Sequence, residues 1–144
     1  MRKKVVTILL TSTLFATSCG GKTPAEKLQP EIKTIASFMA TVDWVTAAQA
    51  NASVPAAYAS RTINVAQQNL QDEQTTIRSF DVSQDYRDQL TTILDQVIKT
   101  LPAIRQAFET RDSNAMNDEI TVLAIQRQAL DALSKRLEVE SAGR

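Results

Sequence analysis

The sequence contains no histidine and a single cysteine, Cys19, among its 144 residues. The lack of histidine excludes a Ser-His-Asp triad, a histidine-ligated haem and the common zinc sites. Di-metal sites in helical bundles use Glu-x-x-His pairs, which the chain also lacks. A single cysteine forms no disulfide within the chain. We therefore predict a protein with no metal and no other cofactor.

Glycine is scarce as well, and its three residues lie near the ends of the chain, at positions 20, 21 and 143. Tight β-hairpins usually depend on glycine or Asn-Gly at positive φ, so a sheet protein is disfavoured. Alanine and glutamine are abundant instead, and both favour helix. We expect an all-α fold, and the chain is long enough for one core but not for two.

Beyond the basic start at residues 2–4, charge of one sign is not concentrated in the chain. The 16 basic side chains equal the 16 acidic ones in number and are dispersed along the sequence. Because no basic cluster is present after the first 18 residues, we exclude nucleic acid as the partner of the mature chain. Lys22, Lys27 and Lys33 come nearest to a group; they either face anionic lipid headgroups or form ordinary solvated helix surface.

The first 19 residues have the organisation of a secretion signal. A basic start at residues 2–4 precedes an apolar run over residues 5–16. This run is too short to cross a bilayer as a helix, which takes about 20 residues. Small residues then lead into the only cysteine, in the order Ala16, Thr17, Ser18, Cys19.

This arrangement resembles the lipobox of bacterial lipoproteins, with Ala16 where that family more often has leucine. The resemblance implies cleavage before Cys19, acylation of its sulfur and usually acylation of the freed amine. Two or three acyl chains hold a protein stably at a membrane, whereas one chain is marginal. The alternative is a buried or redox-active thiol behind an ordinary signal peptide.

The predicted organisation is a signal peptide over residues 1–18, a lipidated tether over 19–23, a helical domain over 24–140 and a tail over 141–144. Cleavage removes three basic and no acidic side chains, so the mature chain has a net charge of −3. Gly20 stands where enterobacterial lipoproteins of the inner membrane have aspartate. By resemblance, this favours the outer membrane, facing the periplasm, if the host has two membranes.

Four amphipathic stripes follow, each with the three- and four-residue spacing of one helix face. The stripe residues are Leu28, Ile32, Ile35, Met39, Val42 and Thr46 in the first; Ala56, Ala59, Ile63, Ala66, Leu70, Ile77 and Phe80 in the second; Tyr86, Leu90, Ile93, Val97, Leu101, Ile104 and Phe108 in the third; and Met116, Ile120, Leu123, Leu130 and Leu137 in the fourth. Since the connections are only a few residues long, consecutive helices should be antiparallel, in an up-down-up-down four-helix bundle.

Two proline positions leave alternatives for the helix boundaries. The first helix begins either at Pro24, behind a Thr23/Glu26 capping box, or at Pro30 after a short extended stretch. Pro102 lies inside the third stripe. Because the stripe continues beyond this proline, we favour one kinked helix over two separate ones.

Two charged residues interrupt the stripes, Glu73 in the second helix and Arg127 in the fourth. These helices run parallel in the predicted topology, at depths that differ by about four to six residues, a gap that a long arginine spans. A buried Glu73–Arg127 pair would fix the register of the bundle while adding little stability. The alternative, which we favour, is that both side chains reach water at the edges of their stripes.

Trp44 falls off the stripe of the first helix, among small residues, so we expect a partly exposed indole. Tyr58 lies just across the Ala-rich connection over residues 47–59, and the two aromatics could approach each other around one end of the bundle. They form our candidate partner-binding site; the alternative is that they cap the core. About twenty residues of helix place Trp44 roughly 30 Å from the tether, so this end lies away from the membrane.

These observations predict a lipid-anchored, non-enzymatic bundle of the bacterial cell envelope that binds another envelope component, for which we favour a protein. The alternative is a carrier of a small hydrophobic ligand in a groove between helices. For an enzyme based on Asp, Glu, Ser or Tyr, the sequence offers no paired carboxylates and no nucleophile turn. Leu90-Thr91 begins like the Leu-Thr-x-x-Gln repeat of periplasmic helical-cradle chaperones, but residue 94 is leucine and the resemblance fails.

Overall fold

The computed structural model describes residues 21–143, and within this range it contains four α-helices and no strand. The helices are α1 at Pro24–Ala50, α2 at Ala56–Arg78, α3 at Gln84–Thr110 and α4 at Ser113–Ala142. The all-α prediction is thereby confirmed. The predicted signal peptide and Cys19 lie outside the described residues.

α1 begins at Pro24, which decides between its two predicted start points. The N–H of Glu26 donates to the Thr23 hydroxyl at 3.2 Å, and the N–H of Thr23 donates to the Glu26 carboxylate at 2.6 Å. This reciprocal capping box satisfies backbone donors that the start of a helix leaves unpaired. Pro30 lies inside the helix. The helical domain therefore starts directly behind the predicted tether.

Pro102 lies inside a single continuous α3, so the prediction of one helix rather than two is confirmed. α3 is followed directly by Arg111, its C-cap, whose φ of 55° and ψ of 34° lie in the left-handed region. The Asp112 carboxylate then caps α4 by accepting from the N–H groups of Asn114 and Ala115, at 3.1 and 3.0 Å. The chain thus reverses direction through a very short connection.

Each helix packs against two others, in the order α1 with α2, α2 with α3, α3 with α4 and α4 with α1. Across residues 21–143 the backbones of the diagonal pairs do not approach each other, since no Cα atoms lie within 8 Å. Gln29, near the start of α1, donates to the Ser134 carbonyl near the end of α4 at 2.9 Å. Arg105, near the end of α3, donates to Asn64 near the start of α2. Such contacts join neighbouring helices that run antiparallel, and the four helices surround one core.

The predicted stripes supply most of that core, and every stripe residue of α1 and α3 is buried. The second and fourth stripes are less accurate, because Ala56 is exposed and Met116 and Ile120 are only half-buried. These residues lie towards helix ends, where fewer neighbours cover a side chain. Gln74 lies outside the predicted stripe of α2 but is buried, and its amide donates to the Asp95 carboxylate of α3 at 2.7 Å.

The two ends of the bundle have different components. We call the end where α1 begins the near end; it also holds the end of α2, the start of α3 and the end of α4. The end where α1 finishes is the far end, and it holds the loops over residues 51–55 and 111–112. The predicted binding residues, Trp44 and Tyr58, both lie towards the far end.

Candidate functional site

Trp44 is exposed, as the sequence predicted, with 58% of its surface accessible to solvent. The preceding residue, Asp43, turns towards α4, where it forms an ion pair. Trp44 is the next residue of α1, and consecutive residues are rotated by about 100° around the helix axis. The Trp44 side chain therefore points to solvent on the α4 side of α1. An indole exposed to this extent contributes little to the core and offers a large apolar surface to a partner.

Tyr58 is also exposed, with 50% of its surface accessible, in the first turn of α2. Two later residues mark the sides of this helix, since Glu73 faces α1 and Gln74 faces α3. The helical period places Tyr58 on the α1 side of α2. Trp44 and Tyr58 therefore share the far half of the bundle but lie on opposite sides of α1, as two separate apolar points.

A cleft that the sequence did not reveal opens at the far end, where α1 and α3 finish and α4 begins. It encloses about 240 Å³. Its lining includes Gln49, Phe108, Arg111, Ser113, Met116 and Asn117. Phe108 and Met116 form an apolar floor, and polar or positively charged groups surround it. The only sequence signal was the apolar stripe of α3, which runs directly into a loop that begins with arginine.

Arg111 is the positively charged residue of this cleft. Its side chain is exposed and has no ion pair within residues 21–143. The neighbouring acid, Asp112, is engaged by two N–H groups of α4. The start of α4 adds the partial positive charge of a helix N-terminus. The cleft therefore combines apolar surface with an uncompensated positive charge.

The predicted Glu73–Arg127 pair does not form. Glu73 lies on α2 and Arg127 on α4, and these helices occupy diagonal positions whose backbones do not approach within 8 Å in the described part of the chain. Core side chains fill the space between the diagonal helices. Both residues are half-buried, which agrees with the alternative that they lie at the edges of their stripes.

Arg127 pairs instead with Asp43 of α1, with 2.5 Å between the guanidinium nitrogen and the carboxylate oxygen. The Arg127 and Asp43 side chains keep 37% and 33% of their surfaces exposed. Ion pairs as exposed as this contribute about 0–1 kcal/mol. Asp43 directly precedes Trp44 in the sequence, so the pair links α4 to the part of α1 that displays the indole.

Glu73 faces a second carboxyl group, that of Glu31 on α1. The pKa of Glu73 is raised from 4.5 to about 7; burial is the largest cause, followed by the hydrogen bond and charge of Glu31 and then the charge of Asp72. The Glu73 Oε2 atom is buried and has no hydrogen-bond partner among the described residues. Near neutral pH, the pair therefore carries a proton in a large share of the molecules.

Polar contacts link α3 to α4 at the near end. Tyr86 hydrogen-bonds to Glu140, and the Arg136 guanidinium lies 4.6 Å from the centre of the Tyr86 ring. Arg136 also pairs with Asp85 at 2.9 Å. Burial and then the Glu140 carboxylate raise the pKa of Tyr86, so the phenol remains a hydrogen-bond donor. These groups are satisfied by one another.

Within residues 21–143, no helix has the length and apolarity to cross a membrane. In the same range, no three Asp, Glu or Cys side chains are grouped closely enough to hold a metal ion. Searches against protein-family models, characterised proteins and solved structures find no match for this chain. Its function must therefore be inferred from its own residues.

Proposed function

We propose that this chain is a lipid-anchored, non-enzymatic helical bundle of the bacterial cell envelope, which binds another envelope protein through its far end. The observation that carries the proposal is the exposure of Trp44 and Tyr58, each with half or more of its surface accessible. Tryptophan and tyrosine are enriched among the residues that dominate protein interfaces. Both lie towards one end of the bundle, which gives the surface a direction.

The proposed anchor is the cysteine of the lipobox-like residues 16–19. Because the capping box starts α1 at Pro24, only a short tether separates this anchor from the bundle. The five-residue tether over 19–23 reaches at most about 17 Å. α1 then runs for 27 residues, and a helix of that length spans about 40 Å. The near end would thus face the membrane and the far end the partner. An outer membrane is favoured where the host has two membranes.

A carrier of a small hydrophobic ligand is the second candidate function, and the packing of the bundle supports it less well. Such a carrier needs a groove that opens between the helices. The largest side chains between these helices are fully buried leucine, isoleucine and methionine. Close packing of this kind leaves no space for a ligand in the interior. A surface groove of about 460 Å³ does open between α3 and α4, but most of the side chains that line it are polar, which suits a hydrophobic ligand poorly.

The anchor is tested by Cys19→Ala in cells that process lipoproteins. We expect the wild-type chain to partition into the detergent phase and the variant to remain in the aqueous phase, because acyl chains supply the membrane affinity. Detection of acylated Cys19 by mass spectrometry is the direct check. A variant that still partitions into detergent would contradict the anchor.

The binding function is tested by photo-crosslinking in whole cells. A photoreactive amino acid replaces Trp44, and the matched control replaces Val139, an apolar residue near the end of α4 with 73% of its surface exposed. We expect the Trp44 position to form a crosslink to one envelope protein, identified by mass spectrometry. The Val139 position lies at the near end and should not capture that protein.

The crosslinking experiment distinguishes three outcomes. Capture of the same protein from Trp44 and not from Val139 supports binding through the far end. Equal capture from both positions would refute it. Adducts with lipid rather than protein would favour the carrier.

A further inference from the structure

We propose that the far-end cleft receives the free C-terminus of a partner protein, with the terminal carboxylate at Arg111 and an apolar last side chain on Phe108 and Met116. This inference rests on the proposed function, since it specifies the partner's chemistry at the same end of the bundle. The centre of the interface with the partner would then be the cleft rather than Trp44.

The floor of the cleft suits one apolar side chain. Phe108 keeps only 4% of its surface accessible, and Met116 is half-buried beside it. Methionine adapts its shape to what it contacts, because its side chain is unbranched and polarisable. The cleft volume of about 240 Å³ lies below the roughly 300–1,000 Å³ of pockets that enclose drug-sized ligands. A single residue therefore fits better than a lipid or a partner helix.

The rim of the cleft carries hydrogen-bond donors and one full positive charge. Gln49 and Asn117 offer side-chain amides, and Ser113 offers a hydroxyl group. Arg111 has no ion pair within residues 21–143, and Asp112 is occupied in capping α4. No acidic residue lines the cleft. The complementary group is therefore an anion with several acceptor oxygens.

A chain terminus meets these requirements better than an acidic side chain does. In a C-terminal residue, the carboxylate and the side chain leave the same Cα atom, so both reach a small site together. On a helix, an acidic residue and its apolar neighbour on the same face are three or four positions apart, about 5–6 Å between Cβ atoms. Capture of a terminal carboxylate is also an established mode of peptide recognition.

The backbone at Arg111 is consistent with a functional constraint. Its φ of 55° is unfavourable for a residue with a Cβ atom, and glycine is the usual residue where a helix ends in this conformation. An arginine here gives up stability and places its charge at the cleft. Ala52, in the other far-end loop, has a φ of 54° but does not line the cleft, so it provides a matched control.

Fluorescence anisotropy with the full chain tests the inference. The probe is a fluorescein-labelled pentapeptide, Gly-Ser-Ala-Ala-Leu, with a free α-carboxylate, and its counterpart has the same sequence with a C-terminal amide. We expect the amide to bind at least about tenfold more weakly, because it loses a charge-assisted hydrogen bond. A third peptide, amidated and with glutamate before the leucine, presents an acidic side chain instead.

The protein variants test the role of Arg111 without a loss of folding. Arg111→Gly removes the guanidinium group and suits the left-handed backbone, and we expect about tenfold weaker binding of the carboxylate peptide. Arg111→Lys keeps the charge and should restore much of the affinity. Ala52→Gly relieves the same backbone conformation outside the cleft and should leave binding unchanged.

Several results would overturn the inference. These are equal affinity for the carboxylate and amide peptides, binding that survives Arg111→Gly, and failure of the carboxylate peptide to bind. Preference for the internal glutamate would overturn the C-terminus as the source of the carboxylate. Crosslinking from Trp44 is independent of these measurements. If it captures a partner while the peptides fail, the proposed function stands and the inference alone is wrong.

Discussion

The near and far ends of the bundle are built from the same four helices, yet polar side chains tie the helices together mainly at the near end. There Lys27 donates to the Asp81 carbonyl at 2.8 Å. Gln29 and Ser134 exchange two hydrogen bonds, at 2.9 and 3.0 Å. Tyr86 joins α3 to α4 through Glu140. These polar groups of the near end are thus engaged within the chain.

The far end differs in its loops, its exposed aromatic side chains and its cleft. Its loops contain two non-glycine residues with positive φ, Ala52 and Arg111. Its exposed aromatics, Trp44 and Tyr58, add little to the core, and an open cleft lies where three helices meet. Cross-helix hydrogen bonds thus tie the helices at the near end, where a surface cleft of about 500 Å³ also opens beside the start of α1, whereas the far end leaves aromatic side chains exposed.

The largest expected effect comes from the core beside the near end. Leu90 is fully buried, so Leu90→Ala should lower the free energy of unfolding by about 2–5 kcal/mol. Trp44→Ala should cost about 1 kcal/mol or less, because most of the indole is already in water. Urea unfolding followed by circular dichroism measures both. Equal costs would place Trp44 in the core and remove the contrast between the ends.

The hydroxyl of Tyr86 offers a way to loosen the near end alone. Tyr86→Phe removes the hydrogen bond to Glu140 and keeps the ring beneath Arg136, so we expect a loss of about 1 kcal/mol. Amide hydrogen exchange should accelerate at the near end. Tyr58→Phe, the same change at the exposed far-end tyrosine, should stay within about 0.5 kcal/mol. A comparable loss from Tyr58→Phe would mean that the far end is tied as well.

The Glu31/Glu73 pair should make stability depend on pH. The folded protein holds a proton up to a Glu73 pKa of about 7, whereas the ordinary value is 4.5. Between these values the folded state binds more protons than the unfolded state, so the free energy of unfolding falls as pH rises. Glu73→Gln removes this dependence and should stabilise the protein at pH 8. Because water screens part of the pair, the gain is about 1 kcal/mol.

Urea unfolding at pH 5 and pH 8 measures the effect of Glu73→Gln. Asp72→Asn is the matched control, since Asp72 is exposed and is the weakest cause of the raised Glu73 pKa. It should change the pH dependence less. If Glu73→Gln left the pH dependence intact, the two carboxyl groups would not be the source of it.

The smallest effects should appear in the far-end loops, and they should be stabilising. Ala52→Gly and Arg111→Gly each relieve a left-handed residue that costs about 1–2 kcal/mol, offset by the greater freedom of glycine in the unfolded chain. We expect a net gain of about 0.5–1 kcal/mol from each. Ala124→Gly, an exposed position within α4, should instead lose about 1 kcal/mol. Thermal unfolding of the three variants compares them directly.

The spacing of apolar residues along the sequence predicted the four helices and most of the core, because it depends only on which side of each helix faces inward. α1 and α3 have long, unbroken stripes, and every predicted stripe residue in them is buried. The stripe of α4 was less certain, since Arg127 interrupts it. The buried Leu133 was missed there, because it lies at the edge of the face that the other leucines define.

The candidate site was predictable only in part. The exposure of Trp44 follows from its position around a single helix, so the sequence was sufficient to predict it. Partners of charged residues depend on which helices are neighbours and on how their edges meet. Glu73 therefore faces Glu31, and Arg127 pairs with Asp43. The sequence alone also allowed a pair between Glu73 and Arg127, which the structure does not contain. The far-end cleft depends on three helix ends at once, which no local pattern encodes.

The antiparallel arrangement around α1 has a mechanical consequence. A pulling force between a membrane at the near end and a partner at the far end would run parallel to the helix axes. α1 would pass this force sideways to α2 and α4, its two neighbours. A force in this direction shears many side-chain contacts at once instead of peeling them apart turn by turn. The bundle would then act as a stiff spacer of about 40 Å between the two attachments.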